Sequence, residues 1–359
     1  MQIMARTFMA SGDEVDIKTF TLQYPSILFP GKTQTLSTPA PEDLKITRCL
    51  NTIDPLSWIE VGRRIRRERP DFVLLKYWTP FMAPAFGTVA RIARKNGHTR
   101  FLCQIDNVEP HEHHLVDRPF NRYFLSAIDG FVYMSEQVHG ELTAYTSAPA
   151  LFSPHPLFEN FGLRSSREEA ARGLKLDPKQ RYLLFFGLIR DYKGLDILID
   201  AWANLKHAGK MQGVKLIVAG EFYTPQGPYL EQIARHRLQD EIILRDCFIP
   251  DNEVRHYFSL ADCVVQPYKS ATQSGVTQIA YQFCTPMIVT DVGGLKEIVP
   301  DDRVGYVCQP SADSVADAIE RIYRDGVLER FAQNCIGERK RFSWEKMCAR
   351  IKEVYELVK

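Results

Sequence analysis

The sequence predicts an α/β protein built from two doubly wound, parallel-sheet domains. Three observations carry this. Short apolar runs rich in Val, Ile, Leu and Phe alternate with helical patterns along the chain, as in parallel strands joined by crossover helices. Several runs are near-continuous, not alternating, which suits strands covered on both faces. At 359 residues the chain exceeds one ordinary core, so two domains are expected.

Taken in order, residues 1–12 read as the tail of a helix and 14–19 as a strand. A helix over 55–69 precedes a strand over 71–75, and a helix over 83–95 precedes strands over 100–105 and 130–134. The Pro-rich stretch SPHPLFENFG over 153–162 has neither period and reads as a linker. A charged helix over 164–173 follows it. A second series then begins, with strands over 182–187, 215–219, 241–245, 263–266, 287–290 and 305–308. Its helices fall over 196–208, 228–237, 252–260, 275–283, 311–324 and 343–357. The expected boundaries are 1–158 for the first domain, 159–341 for the second, and 342–359 for a helix returning to the first. Ligands of doubly wound sheets bind at the carboxyl ends of the strands, so the expected site is a central cleft between the domains.

Composition excludes several classes. The 45 Lys+Arg nearly balance 44 Asp+Glu, for a net charge of +1, which removes the case for a dedicated nucleic-acid binder. Nothing approaches the roughly 18 apolar residues of a spanning helix, and residues 1–16 lack the apolar core of a secretory signal. A cytoplasmic chain is expected. The eight cysteines include no CxxC pair and read as buried small hydrophobes.

Two stretches of the second domain carry chemistry. In FFGLIRDYKGLDILIDAW, Gly187 ends a strand, Arg190 and Lys193 project from the loop and Gly194 opens a helix. Two cations at a strand–helix junction suit an anion, because the helix start adds free N–H groups and positive dipole. A unit-charge pair at 4 Å is worth about 4 kcal/mol at an effective dielectric of 20. Arg190 and Lys193 therefore suit a diphosphate and its stabilisation as a leaving group; a solvated loop with surface cations is the rival reading. In QPYKSATQSGVTQIAYQFCTP, a buried strand meets a small polar loop and then a helix. Gly275 permits close approach of a ligand there, and Ser274 is placed to cap the helix.

From about Tyr182 onward the chain resembles the retaining glycosyltransferases of family 4, which have the GT-B fold. The matching pieces are Gly187, Lys193-Gly194, Val218–Glu221, Phe248-Ile249-Pro250-Asp251, Gln266-Pro267, Gln273-Ser274-Gly275, Pro286, Thr290–Gly294 and Phe342-Ser343-Trp344. The resemblance implies transfer of a sugar from a nucleotide-sugar donor, with retention and without a bound metal or other cofactor. It implies that Lys193 holds the donor phosphate and that Arg190 is its partner. The family's arginine directly follows the glycine, where this chain has Leu188. The backbone of Ser274, Gly275 and Val276 would seat the diphosphate, while Gly220, Glu221 and Ile249 would line the nucleobase pocket. Where the family has two glutamates eight positions apart, this chain has Ala271 and Ile279, so Gln273 or Gln278 is the expected replacement.

Against that pattern, the first domain is expected to begin after its usual first strand and Gly-rich loop. Asp106 ends a strand, where a carboxylate can orient an acceptor hydroxyl, and Ser135 ends another. Of the three histidines in PHEHH, His111 is the candidate for the cleft beside the donor sugar; a surface turn competes, and the spacing does not fit zinc. Five arginines crowd residues 62–69. Arg63, Arg64, Arg66 and Arg67 are expected to touch an anionic membrane, aided by Trp58, Ile59, Trp78 and Phe81, with Arg91, Arg94, Lys95 and Arg100 as a second basic group. A solvated helix end is the rival here, and an acceptor phosphate another use. The expected acceptor is a glycan or lipid-linked sugar of a cell-surface polysaccharide or glycolipid, handled in the cytoplasm or on its membrane face. An epimerase of the same fold and a non-catalytic nucleotide-sugar-binding homologue are the alternatives. A dehydrogenase is disfavoured, since no G-x-G-x-x-G follows a strand.

Overall fold

The computed structural model describes residues 1–25, 39–109, 116–158, 160–271 and 274–359. Two compact units emerge. One comprises Met1–Pro154 with Trp344–Lys359, the other His155–Ser343.

In the first unit, β1 (Asp16–Leu22) and β2 (Lys45–Asn51) pair in parallel as a two-stranded sheet. A second parallel sheet runs in the order β3 (Phe72–Tyr77), β4 (Arg100–Ile105), β5 (Gly130–Tyr133) and β6 (Ala150–Phe152). The pleat sends alternate residues to opposite faces. Phe101, Cys103 and Ile105 join Tyr77, Phe86, Phe124 and Phe131 on one side. Leu102 and Val132 pack on the other with Met4 and Phe8 of the helix Gln2–Ala10 and with Met347, Ile351 and Val354 of the helix Trp344–Val358. Each large side chain buried this way contributes about 1.5–3 kcal/mol. Gly130 matters here because a Cβ on it would lie 2.5 Å from Val354 Cγ1.

β2 and β6 have no counterpart among the expected strands. The first carries Lys45, Thr47 and Arg48 and is largely uncovered, so no apolar run marks it, and the second is three residues long. The helices Asp117–Leu125, Glu136–Thr143 and Leu328–Glu338 likewise have no counterpart among the expected helices; polar residues dominate the second. All eight cysteines are free. Six are buried, but Cys247 is exposed and Cys49 partly so, because Cys247 follows a strand end where the chain turns out to solvent.

The second unit holds six parallel strands: β7 (Arg181–Phe186), β8 (Val214–Ala219), β9 (Ile242–Arg245), β10 (Cys263–Gln266), β11 (Met287–Thr290) and β12 (Gly305–Cys308). Their spatial order is β12-β11-β10-β7-β8-β9. Helices cover both faces. Leu184, Phe186, Phe258 and Tyr281 pack on one side, Leu183, Phe185, Trp202 and Phe331 on the other. Counted within the unit, the order is 6-5-4-1-2-3, so the winding reverses between β7 and β10. Crevices outside the carboxyl ends of two such strands are where α/β sheets bind ligands.

Candidate functional site

Both segments singled out in the sequence leave the sheet at this reversal. After β7 the chain passes through Gly187 at φ +97° and a short 3-10 turn, Asp191–Lys193, to Gly194 at φ +68°. Only glycine takes those conformations without strain, and a Cβ on Gly194 would also collide with the Pro267 carbonyl oxygen. Lys193 is only 8% exposed. Its Nζ lies 3.1 Å from the place a Cβ on Gly187 would occupy, and Val276 Cγ2 lies 3.4 Å from that same place. Lys193 Nζ is also 5.7 Å from the centre of the Tyr268 ring. No carboxylate pairs with this ammonium among the described residues. Burial, and after it the nearby charge of Arg190, pushes its pKa down to about 8. That is on the order of 3 kcal/mol against the charged form, which a bound anion would offset.

The loop after β10 leads into the helix Gly275–Gln282. Ser274 stands at the N-cap position but does not cap. Its hydroxyl donates instead to Gln266 Oε1 at 2.6 Å, which also accepts from Thr277 Oγ1 at 3.1 Å. This corrects the expected capping role: the buried amide of Gln266 outcompetes the backbone. Among the described residues the helix start consequently has no side-chain cap, so its first N–H groups keep their capacity for an anion. A Cβ on Gly275 would meet Phe158 Cε2 at 3.3 Å, so its smallness also serves packing. Gln278 is 1% exposed, and neither its Nε2 nor its Oε1 has a partner among the described residues. Ala271 and Ile279 are buried within the apolar core. Gln273 lies outside the described residues.

Gly220, at φ +148°, has no room for a Cβ because it packs on the Gly187 carbonyl. Glu221 is exposed and takes part through its carbonyl, which accepts from Ile189 N at 2.8 Å. Ile249 is 7% exposed and belongs to the core. The Arg190 guanidinium stands 5.3 Å over the Tyr223 ring, in solvent. Lys193 is thus the buried cation of the pair and Arg190 the exposed one.

In the first unit, Asp106 follows β4 with Lys76 Nζ at 3.3 Å and Gln104 Nε2 at 3.4 Å. Burial raises its pKa, against the pull of Lys76. Gln104 Oε1 and Asn107 Oδ1 beside it are buried without partners among the described residues. Ser135 is 0% exposed and caps the helix Glu136–Thr143 by accepting from Val138 N, so a structural role explains it. His111 lies outside the described residues.

The basic groups divide. Arg63, Arg66 and Arg67 are exposed and, with Arg69, Lys95 and Leu56, line a groove of about 910 Å³. Arg64 turns away to Glu68 at 2.9 Å. In the second group, Arg91 bonds the Tyr123 carbonyl and Ser126, Arg94 pairs with Asp129 at 2.6 Å, and Arg100 donates to the Val358 carbonyl. Those three are corrected to structural cations, and only Lys95 joins the groove. The aromatic anchors are corrected as well. Trp58 and Trp78 donate to the Asn51 carbonyl and Tyr24 hydroxyl, and both pack with Phe81 on the core. The exposed apolar side chains nearby are Ile53 and Leu56.

Residues 180–325 match the family described as "Glycosyl transferases group 1". The D-inositol 3-phosphate glycosyltransferase of Pseudarthrobacter chlorophenolicus is 30% identical over 161 residues, covering 44% of this chain and 38% of that protein. Its counterpart in Segniliparus rotundus is 30% identical over 216 residues, 57% of this chain and 47% of that one. The chain thus spans about half the length of the curated relatives it matches. Sucrose-phosphate synthase from Thermosynechococcus elongatus superposes over 99% of this chain and 92% of its own, with a TM-score of 0.72 at 18% identity. The fold is GT-B. Anabaena HepE, solved in complex with UDP and glucose, superposes over 88% of this chain and 86% of its own, with a TM-score of 0.66 at 16% identity. The segment that matches the glycosyltransferase family contains Gly187, Arg190, Lys193, Gly220, Glu221, Ile249, Ser274, Gly275, Val276 and Gln278.

Two residues that touch this site had no assignment from the sequence, Gln266 and Lys269. Lys269 lies between motif positions, and its partners are more than 70 residues away. The strand-end position of Gln266 was visible, but its bonding was not.

Proposed function

We propose that this protein is a GT-B glycosyltransferase that moves a sugar from a nucleotide-sugar donor to a glycan or lipid-linked acceptor, with retention of anomeric configuration. One observation carries the reading: a buried lysine that, among the described residues, has no counter-charge, at the reversal of the second sheet, beside a helix start that Ser274 leaves uncapped. A diphosphate supplies the missing negative charge and accepts hydrogen bonds from free N–H groups. The glycosyltransferase names of the relatives support the same class.

In this mechanism Lys193 and the N–H groups of Gly275 and Val276 stabilise the departing nucleoside diphosphate as negative charge develops on it. Arg190 swings from Tyr223 to add a second cation. Gln278 offers its free amide to a sugar or ribose hydroxyl, replacing a carboxylate. Attack on the same face by the acceptor hydroxyl, its proton passing to the leaving phosphate, gives retention without a protein nucleophile. Asp106 orients that hydroxyl. The reading uses no resident metal; among the described residues no group of three His, Cys, Asp or Glu is placed to hold one. An epimerase would ionise its donor through carboxylates, for which buried Ala271 and Ile279 offer no counterpart.

The Arg63, Arg66 and Arg67 face would hold the protein at the anionic cytoplasmic surface where lipid-linked acceptors lie. No helix among the described residues is long and apolar enough to cross a membrane. Incubation with UDP-, GDP- and ADP-sugars, with and without lipid acceptors, tests the whole reading through nucleoside diphosphate release. Release that requires an acceptor supports it. Donor binding without release under any condition points to a non-catalytic homologue.

A further inference from the structure

We infer that Lys269 is a positioning residue that clasps the Lys193 turn to the loop feeding the helix Gly275–Gln282, and so holds the two halves of the anion site in register. The inference rests on the reading of Lys193 as the donor-phosphate cation.

Lys193 and the N–H groups of Gly275 and Val276 sit on different segments, one after β7 and one after β10, about 80 residues apart in the chain. A diphosphate can be gripped by both only if those segments keep a fixed separation. Lys269 ties them three times. Its backbone N–H donates to the Tyr192 carbonyl at 2.7 Å. Its Nζ lies 2.9 Å from Asp191 Oδ1 and 2.9 Å from Asp196 Oδ2. Around it the segments interlock further: Gly194 lies against the Pro267 carbonyl, and Tyr192 meets Tyr268 edge-on at 6.1 Å.

The ion pairs differ in weight. Asp191 is 76% exposed, and a pair in that setting contributes little. Asp196 is 39% exposed, and among the described residues its second oxygen is buried without a partner and Lys269 is the cation paired with it. Lys269 also settles a problem of charge. Two carboxylates flank the Lys193 turn, and neutralising them with a separate lysine leaves the Lys193 ammonium free for an exogenous anion.

The groups around Lys193 are Arg190, Asp191 and Tyr192 on its own turn, Asp196 on the following helix, and Tyr268 and Lys269 on the loop after β10. Replacing Lys269 by Met frees both carboxylates and loosens the turn. The first effect draws Lys193 toward negative charge and the second returns it toward water, and both raise its pKa toward the ordinary lysine value.

The experiment measures binding of UDP, GDP and ADP to the full chain by calorimetry from pH 6.5 to 9.5, with thermal unfolding in parallel. The variants are Lys269→Met, Lys269→Arg, Asp196→Asn and Lys193→Ala. For the wild type, affinity for the preferred nucleotide should fall as pH rises through about 8. Lys269→Met should lower affinity at pH 7 by about tenfold and move the pH break up by about one unit. Lys269→Arg should restore most of both, and Asp196→Asn should reproduce part of the loss. A Lys269→Met protein with wild-type affinity and pH break overturns the inference, as does a loss of affinity that Lys269→Arg does not rescue. Should Lys269→Met fail to fold, wild-type binding by Asp196→Asn overturns it equally. If Lys193→Ala binds like the wild type, or the wild type binds none of the three, the donor-site reading itself fails. If Lys193→Ala abolishes binding while the other variants leave it intact, only the role of Lys269 falls.

Discussion

Lys193 holds a charge that the folded chain disfavours, and this gives two pH effects of opposite sign. Its pKa of about 8 lies below the ordinary lysine value because burial penalises the ammonium. Without ligand, the destabilisation is fully present below about pH 8 and is relieved as pH rises from there toward 10.5. On the proposed function, nucleotide binding needs the ammonium and should weaken over the same rise. Lys193→Met should therefore abolish nucleotide binding and yet raise the thermal midpoint at pH 7, by an amount reflecting roughly 1–3 kcal/mol. A variant that loses both binding and stability would mean that Lys193 supports the fold. At Gly220 the expectation is simpler. Ala there must hold a left-handed φ and enter the space of the Gly187 carbonyl, so Gly220→Ala should cost about 1–3 kcal/mol in denaturant unfolding.

Two helices show how elements depend on single contacts. The helix Trp344–Val358 completes the first unit's core, and it lies so close to β5 that a Cβ on Gly130 would press on the Val354 methyl at 2.5 Å. Gly130→Val should lift it, seen as faster amide exchange across residues 344–358 while the second unit keeps its protection. The helix Gly275–Gln282 begins beside a hydroxyl that faces the other way. Ser274→Ala removes the bond to Gln266 and should cost about 1 kcal/mol of stability, yet it leaves the helix N–H groups unchanged. Nucleotide affinity should then change less than twofold. A tenfold loss would mean that the hydroxyl itself contacts the phosphate. The strands most legible in the sequence were those covered on both faces, β7, β10 and β11 among them, since each is an apolar run. The half-covered β2 and the three-residue β6 lack that pattern, which is why only the fold showed them.

For the whole molecule, a net charge of +1 conceals an uneven surface. Arg63, Arg66, Arg67, Arg69 and Lys95 border one groove, with Leu56 exposed beside them. Each cation near an anionic bilayer contributes about 1 kcal/mol. Wild-type protein should co-sediment with vesicles containing phosphatidylserine or phosphatidylglycerol and be released by salt. The Arg66→Glu/Arg67→Glu double variant should stay in the supernatant, and equal sedimentation on neutral vesicles would rule out the electrostatic reading.

By itself the sequence determined the fold class and the positions that could carry an anion site. Both depend on local order: apolar runs of strand length, helical periods between them, and glycines and cations at fixed offsets after a strand. Only the tertiary structure decided which of those side chains are available. Arg91, Arg94 and Arg100 look like Arg63 and Arg66 in the sequence, but their partners Ser126, Asp129 and Val358 stand 35 or more residues away. The same holds for Ser274, turned to Gln266, and for Lys193, left alone because Lys269 occupies its neighbouring carboxylates. Charge and hydrogen bonding are settled by neighbours in space, and the chain brings those together only when it folds.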